Sequence, residues 1–414
     1  MDIQPQSNAS VVLLVLLIFL LINQSSTYAQ TDYVFQGKVV DAKTEQPLSY
    51  ITLSMADGQI SSETNKNGYF ILKVPEHLKK DTLYLRALNY QLAQQPLTEL
   101  APVNSIIRLN AIPSESQVST VDQYFSGAHS FQARDTLLKA IALIAKNYTD
   151  SPTLLHGFYR EIIEKLQPSF CVSYTEGIID VYKPSYYFTK KDDQIHFVKG
   201  RRKPLYTFTI PVLTPGPWAS NMLDIVKYQE FLFRHGKLNQ DYIFNLVGKT
   251  IIGDQPVYII DFNPRSHQVS SGFFAGKLFL TTNGLAIIRS EYRLTEQGLN
   301  LINRSSNAQV YSTNLKGRSY TATYTKFGDR WSFQSGSITN NFTDVATISS
   351  FESRIDFVVT HRQSDNIQPF KAKDQAVYNR LPMQSFDRNS DEFLRGENYL
   401  MPVLPYPSLI ESNK

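Results

Sequence analysis

This 414-residue chain has a single cysteine, a small net charge and no recognisable catalytic motif. Its single cysteine, Cys171, excludes an internal disulfide, and a lone cysteine in an alternating strand is usually a small buried hydrophobe. The formal net charge is only +4, and the first 30 residues hold one Asp and no Lys or Arg, so the remainder carries +4 + 1 = +5. So small an excess on so long a chain gives no reason to expect a nucleic-acid partner.

Recognisable catalytic and cofactor motifs are also missing. None of the seven histidines begins a His-Glu-x-x-His or His-x-x-Glu spacing, so the usual zinc ligands are absent. There is no Gly-x-Ser-x-Gly elbow, and Gly248-Lys249-Thr250 lacks the preceding glycine of a phosphate loop. The sequence therefore predicts a non-enzymatic protein with no metal or cofactor. A hydrolase stays open if acids such as Glu176 and Asp180 converge in a cleft.

No apolar run is long enough for a typical membrane-spanning helix. Val11 to Ile22 is an unbroken run of 12 apolar residues, about 18 Å as a helix against a hydrocarbon core of roughly 30 Å. A signal-peptidase site at Tyr28-Ala29-Gln30 follows. We therefore expect residues 1–30 to be a cleaved signal peptide, and the protein to be periplasmic or associated with the outer membrane. The alternative is an uncleaved anchor, because the start of the segment lacks Lys and Arg.

Aromatic residues, by contrast, are abundant: 24 Tyr and 25 Phe favour strands. Three features stand out between residues 31 and 110: the opening Gly37-Lys38-Val39-Val40-Asp41, then Pro47-Leu48, then a turn from Asn65 to Gly68 leading into Tyr69-Phe70. Together they resemble the carboxypeptidase regulatory-like domain, a transthyretin-like β-sandwich of Gram-negative envelope proteins. The resemblance implies an accessory module and no peptidase activity.

We interpret residues 111–132 as a linker, 133–362 as a second β-domain and 363–414 as a C-terminal tail. Apolar residues at helical spacing predict helices near 134–148 and 221–233. Long alternating runs and an Asn-Gly turn predict strands in the rest of the second domain.

That order of elements is similar to the lipoprotein-carrier fold, an unclosed β-barrel with helices filling its mouth. The hairpin from Val247 to Ile260 and the strand from Gly276 to Leu280 resemble the middle strands of that family. The predicted fold class is therefore mainly β: an N-terminal β-sandwich followed by a curved antiparallel sheet, or half-open β-barrel, with a few helices.

The carrier resemblance implies that the second domain buries an apolar ligand such as a lipid or an acyl chain, so that the expected partner is a lipid or a lipoprotein. Ile225 and Phe231 would belong to a movable lid. Arg160 either bridges a carboxylate of the next strand, Glu176 or Asp180, across the sheet, which we favour, or contacts a polar head group. The full set of candidate ligand-binding residues is Ile225, Phe231, Tyr258, Ile260, Phe262 and Arg160.

The alternative function is a protein–protein binding or assembly module, in which the sandwich docks an outer-membrane partner and the second domain has no cavity. The basic run from Lys199 to Lys203 is expected to be a solvated loop rather than a lipid-binding patch.

Overall fold

The computed structural model describes residues 32–113, 127–187, 191–204, 218, 221, 223–228, 232–234, 237–265, 273–304, 313–376 and 391–403. The expected signal peptide, part of the expected linker and the candidate lid residue Phe231 lie outside the described residues.

The N-terminal part is built from two small sheets that face each other. A four-stranded sheet has the order β3-β2-β5-β6, and a three-stranded sheet has the order β4-β1-β7. Apolar residues from both sheets, among them Phe35, Leu53 and Leu85, form one buried cluster, as expected for a β-sandwich. The strands are β1 Asp32–Asp41, β2 Thr52–Met55, β3 Ser61–Glu63, β4 Tyr69–Pro75, β5 Thr82–Arg86, β6 Ala93–Pro96 and β7 Ser105–Leu109.

The second part is one ten-stranded antiparallel sheet with the order β10-β9-β8-β19-β18-β17-β16-β15-β14-β13. Its strands are β8 Thr153–Leu166, β9 Ser169–Lys183, β10 Gln194–Pro204, β13 Tyr242–Ile252, β14 Gln255–Pro264, β15 Phe274–Thr281, β16 Ile287–Leu294, β17 Thr313–Phe327, β18 Arg330–Asp344 and β19 Ser349–Gln363. The short strands β11 Phe233–Arg234 and β12 Lys237–Leu238 form a separate hairpin. The helices are α1 Gly127–Ala142, α2 Ile144–Asn147 and α3 Glu296–Asn303.

The large sheet is curved. Strands β9 and β17 are four places apart in the sheet, and both contribute to its concave side, where the carboxylate of Asp224 accepts hydrogen bonds from Lys183 on β9 and from Tyr324 on β17. Helices α1 and α2 lie on the same concave side, where Leu137, Ile144 and other apolar residues join the main core. The predicted mainly-β fold with a curved sheet and few helices is confirmed.

Two predicted elements need correction. The first helix begins at Gly127, inside the expected linker, and a second short helix ends at Asn147. The helix expected near 221–233 does not extend through its described part: Asn221 is helical, but residues 223–228 form turns and Phe233–Arg234 is a strand. The backbone amide of Val226 bonds the hydroxyl of Tyr324 at 3.3 Å, so a tertiary contact replaces a helical hydrogen bond there.

The basic run from Lys199 to Lys203 is also not a loop, because it lies in β10 and pairs along β9. Lys199 and Arg201 are held by Glu397 and Glu176, at 2.6 Å and 2.8 Å. Two charges that looked solvated in the sequence, those of Lys199 and Arg201, are therefore committed to ion pairs.

The sandwich packs directly against the large sheet. Ser61 donates a hydrogen bond to the carbonyl of Val359 at 2.7 Å, and Arg362 donates to the carbonyl of Gly58 at 2.9 Å. Gly58 has a φ of +72°, and a Cβ there would lie 1.9 Å from the carbonyl oxygen of Lys326, so only glycine allows this approach.

Part of the C-terminal tail is an ordered strap across both parts. In residues 391–403, Phe393 and Leu400 are buried against Phe158 and Ile178 of the large sheet. Asn398 exchanges two hydrogen bonds with the backbone of Lys73 in the sandwich. The strap therefore ties the sandwich to the outer, convex face of the sheet.

Within the described residues, no helix has the length and apolar character needed to cross a membrane.

Candidate ligand-binding site

The predicted apolar residues meet on the concave side of the sheet. Ile225, Ile260 and Phe262 are buried in the main core, and Tyr258 is half-buried against it. Strand β14 supplies Ile260 and Phe262 at alternate positions, so both side chains leave the same face. This apolar cluster is the candidate site.

The concave side is filled in the described part of the chain. Helix α1 contributes Ala133, Leu137 and Ala140 to the core. The stretch Leu223–Tyr228, which we call the covering segment, adds Leu223, Ile225 and Val226 although it belongs to neither sheet nor helix. A ligand would reach Ile260 and Phe262 only if these covering residues moved.

Four buried charges hold the covering segment in place. Asp224 accepts hydrogen bonds from Lys183 at 2.8 Å, from Tyr186 at 2.6 Å and from Tyr324 at 3.0 Å. Lys183 also contacts Asp193 at 2.5 Å, and Lys227 donates to the same Asp193 carboxylate. We call Lys183, Asp193, Asp224 and Lys227 the ionic network. Each of the four side chains is almost fully shielded from solvent.

The electrostatics of the network favour the charged forms of Lys183 and Asp193, whereas burial outweighs the carboxylates at Lys227 and lowers its pKa. Burial alone raises the pKa of Asp193, but Lys183 and Lys227 outweigh burial and lower it below its usual value. Burial likewise lowers the pKa of Lys183, but Asp193 and Asp224 reverse the shift and raise it. The pKa values of Tyr186 and Tyr324 are raised by burial and by Asp224, so both hydroxyls stay protonated and can donate.

Sequence reasoning missed the ionic network. Lys183, Asp193 and Asp224 are far apart in the chain, and no spacing rule links them. Asp224 and Lys227 are three residues apart, which is a local spacing that the sequence does show. On a predicted helix, however, such spacing usually indicates a solvent-exposed ion pair.

A small cavity adjoins the concave core where the sandwich meets the sheet. Its volume is about 230 Å³, and more of its lining is apolar than polar. Tyr324 lines this cavity and also donates to Asp224, so the cavity wall is hydrogen-bonded to the ionic network. The apolar residues in its wall include Leu48, Ile51, Leu88, Ile252, Ile288 and Trp331.

Arg160 lies on the opposite, convex face. It stands opposite Glu176 in the β8–β9 register and approaches its carboxylate at 3.7 Å, which confirms the predicted cross-strand pair. The pair is buried rather than exposed, because the strap covers it and the carbonyl of Met401 accepts a hydrogen bond from Arg160 at 3.3 Å. The structure therefore separates Arg160 from the apolar candidates.

The acids proposed for a hydrolase are engaged separately. Glu176 pairs with Arg160 and Arg201, and Asp180 bonds Nδ1 of His156 at 2.6 Å. The other ring nitrogen, Nε2, lies 2.9 Å from Glu397, so both nitrogens of His156 are occupied by carboxylates. No group of three or more metal-binding side chains occurs among the described residues.

The thiol of Cys171 is buried, and burial raises its pKa to about 12. A thiol with so high a pKa is a poor nucleophile at neutral pH. Its expected role as a small core hydrophobe fits this setting.

Comparisons with known proteins give only distant similarities. No family model matches the chain, and no curated protein matches it. A domain from Vibrio parahaemolyticus named as an outer membrane lipoprotein-sorting protein has a TM-score of 0.27 at 11% identity, covering 60% of this chain and 97% of its own. A LolA superfamily protein from Nitrosomonas europaea has a TM-score of 0.20 at 12% identity, covering 57% and 94%.

Lipovitellin, solved in a study of lipid–protein interactions, has a TM-score of 0.23 at 12% identity and covers 54% of this chain and 27% of its own. TM-scores and identities this low do not assign the chain to a family.

Proposed function

We propose that this chain is an exported, non-enzymatic envelope protein that binds an apolar ligand, such as a lipid or an acyl chain, in its curved β-domain. The observation that carries the proposal is the apolar cavity beside the concave core, whose wall is hydrogen-bonded to the ionic network. Burying apolar surface contributes roughly 25 cal/mol per Å², so an acyl chain needs no charged contact to be held.

In this mechanism the ligand enters at the junction cavity and continues toward Ile260 and Phe262. At about 230 Å³, the cavity is smaller than the roughly 300–1,000 Å³ of most ligand sites. Binding of a full acyl chain therefore requires the covering segment, with Ile225, to move away. Such a movement must break the ionic network, because Asp224 and Lys227 belong to the covering segment, so the network favours the closed position that the ligand has to displace.

The test is titration of the full chain with dodecanoate, followed by calorimetry, in two variants that add the same bulk at different places. Ile288→Phe fills the junction cavity, whereas Ile338→Phe overpacks the same core away from the residues that line that cavity. Both should lose about 1–3 kcal/mol of stability. Only Ile288→Phe should lose dodecanoate binding. Equal binding by both variants, or none by the unmodified chain, contradicts the proposal.

The second candidate is an assembly module that docks an outer-membrane partner through the sandwich. Exposed side chains on the three-stranded sheet favour the assembly function. Tyr69 and Ile106 flank Lys38 on adjacent strands, and both are exposed. Affinity capture from envelope extracts with the Ile106→Glu full chain separates the candidates. Loss of a captured outer-membrane protein, with dodecanoate binding intact, favours the assembly module.

A further inference from the structure

The convex face carries two neighbouring cavities that the apolar site does not explain. One is about 430 Å³ and the other about 230 Å³, and both are lined by Tyr50 and Arg354. We call the two together the outer cleft. The smaller cavity is lined mainly by hydroxyl side chains of strands β17 and β18, namely Ser319, Thr321, Thr323, Ser335, Ser337 and Thr339.

Tyr50 forms the wall between the two cavities in a conformation that is unusual for its residue type. Its φ is 58°, in the left-handed region that a residue with a bulky side chain rarely occupies. The guanidinium of Arg354 lies 4.1 Å from the centre of its ring, and Arg354 is itself bound to Asp356 at 2.9 Å. Backbone strain of this kind is typically retained at ligand sites.

Arg160 lines the larger cavity but offers little to a ligand. Its side chain is only 3% exposed, and Nη1 donates to the carbonyl of Met401 at 3.3 Å. Its Nε forms no hydrogen bond with any described residue, but this nitrogen is shielded from solvent, so an acceptor in the cavity does not reach it.

The charges around the cleft balance. Three basic and three acidic side chains line the larger cavity, and the smaller cavity has Arg289 bound to the nearby Glu291 at 2.6 Å. Such a lining does not favour an anion such as phosphate. Hydroxyl groups that both donate and accept instead match a neutral ligand rich in hydroxyls.

An extended peptide fits less well. Strands β17, β18 and β19 are interior strands of the sheet, so their backbone groups are already paired and cannot take up an added strand. We propose that the outer cleft is a second binding site, for a neutral oligosaccharide that spans both cavities across Tyr50 and bonds the hydroxyl side chains of β17 and β18. The outer cleft shares Tyr50 and Thr323 with the wall of the junction cavity, whereas Ser337 and Thr339 line the outer cleft and not the junction cavity.

The test uses the full-length chain on an array of neutral and acidic oligosaccharides, with the strongest ligand then measured by calorimetry. Inorganic phosphate and triglycine serve as the anionic and peptide probes. Thr339→Val and Ser337→Ala each remove one cleft hydroxyl, and Thr82→Val is the matched control in the sandwich strand β5. Thermal unfolding of each variant checks that it folds.

We expect a neutral oligosaccharide to bind, with each cleft variant weakening affinity about fivefold and Thr82→Val leaving it unchanged. Ile288→Phe should retain the saccharide while losing dodecanoate, which separates failure of this site from failure of the apolar site. The inference is overturned if no neutral oligosaccharide binds, if phosphate or triglycine binds more tightly, or if the control variant weakens binding as much as the cleft variants do.

Discussion

His156 is held between two carboxylates at the junction of sheet and strap. Burial alone would lower its pKa, but the hydrogen bonds that His156 donates to Asp180 and Glu397 outweigh burial and raise the pKa to about 9. Burial would raise the pKa of Glu397, whereas His156 and Lys199 lower it to about 2. The His156–Glu397 pair therefore stays charged across the neutral range and fastens the strap to β8.

This arrangement predicts a specific pH dependence. Unfolded His156 has a pKa near 6.5, so its stabilisation is complete below about pH 6.5 and is lost as the pH rises through about 9. This pKa shift corresponds to at most ~3 kcal/mol of unfolding free energy.

Between pH 6.5 and 9, the unmodified chain should lose more unfolding free energy than His156→Asn, as measured by urea denaturation. The exposed His77→Asn should behave like the unmodified chain. Parallel pH profiles for all three proteins would refute the pairing.

At the residue scale, the sequence predicted pairs within neighbouring strands but not their burial. A cross-strand pair between Arg160 and either Glu176 or Asp180 followed from the alternation of β8 and β9, and the register of the two strands selects Glu176. Their burial depends on Met401 and its neighbours, some 240 positions away, which no local pattern could place. The ionic network around Asp224 was missed for the same reason.

The covering segment is the element on which the proposed function depends. Its apolar residues recur at helical spacing, which is why a helix was expected there. The structure forms turns because Asp224 and the backbone of Val226 bind partners on other elements. Helical periodicity cannot reveal such competition, since the competing groups lie on β9 and β17.

Removing one member of the ionic network should destabilise the fold strongly. Asp224→Asn leaves Lys183 buried with one carboxylate fewer, and a broken buried pair typically costs about 3–5 kcal/mol. Asp254→Asn is the matched control, because its pair with Arg86 is partly exposed and such pairs contribute about 0–1 kcal/mol. Chemical denaturation monitored by tryptophan fluorescence gives both values. If the two variants lose the same small amount of stability, the network does not anchor the segment.

At the scale of the whole molecule, sandwich, sheet and strap form an interlocked assembly. Asn65 illustrates this: its side-chain oxygen closes the predicted turn by accepting from the amides of Asn67 and Tyr69, while its nitrogen donates to the carbonyls of Met401 and Pro402. The sequence predicted the turn from local conformational preference. It did not predict the long-range contacts, because single polar residues at tertiary junctions leave no periodic signal.

The central claim is that the curved domain takes up an apolar ligand at the sandwich–sheet junction. The most direct measurement is native mass spectrometry of the full chain purified from an envelope fraction, followed by solvent extraction and identification of any released lipid. The account predicts a lipid adduct on the unmodified chain and on Ile338→Phe, and its loss on Ile288→Phe. An unmodified chain that carries no lipid and takes up no dodecanoate would contradict the account.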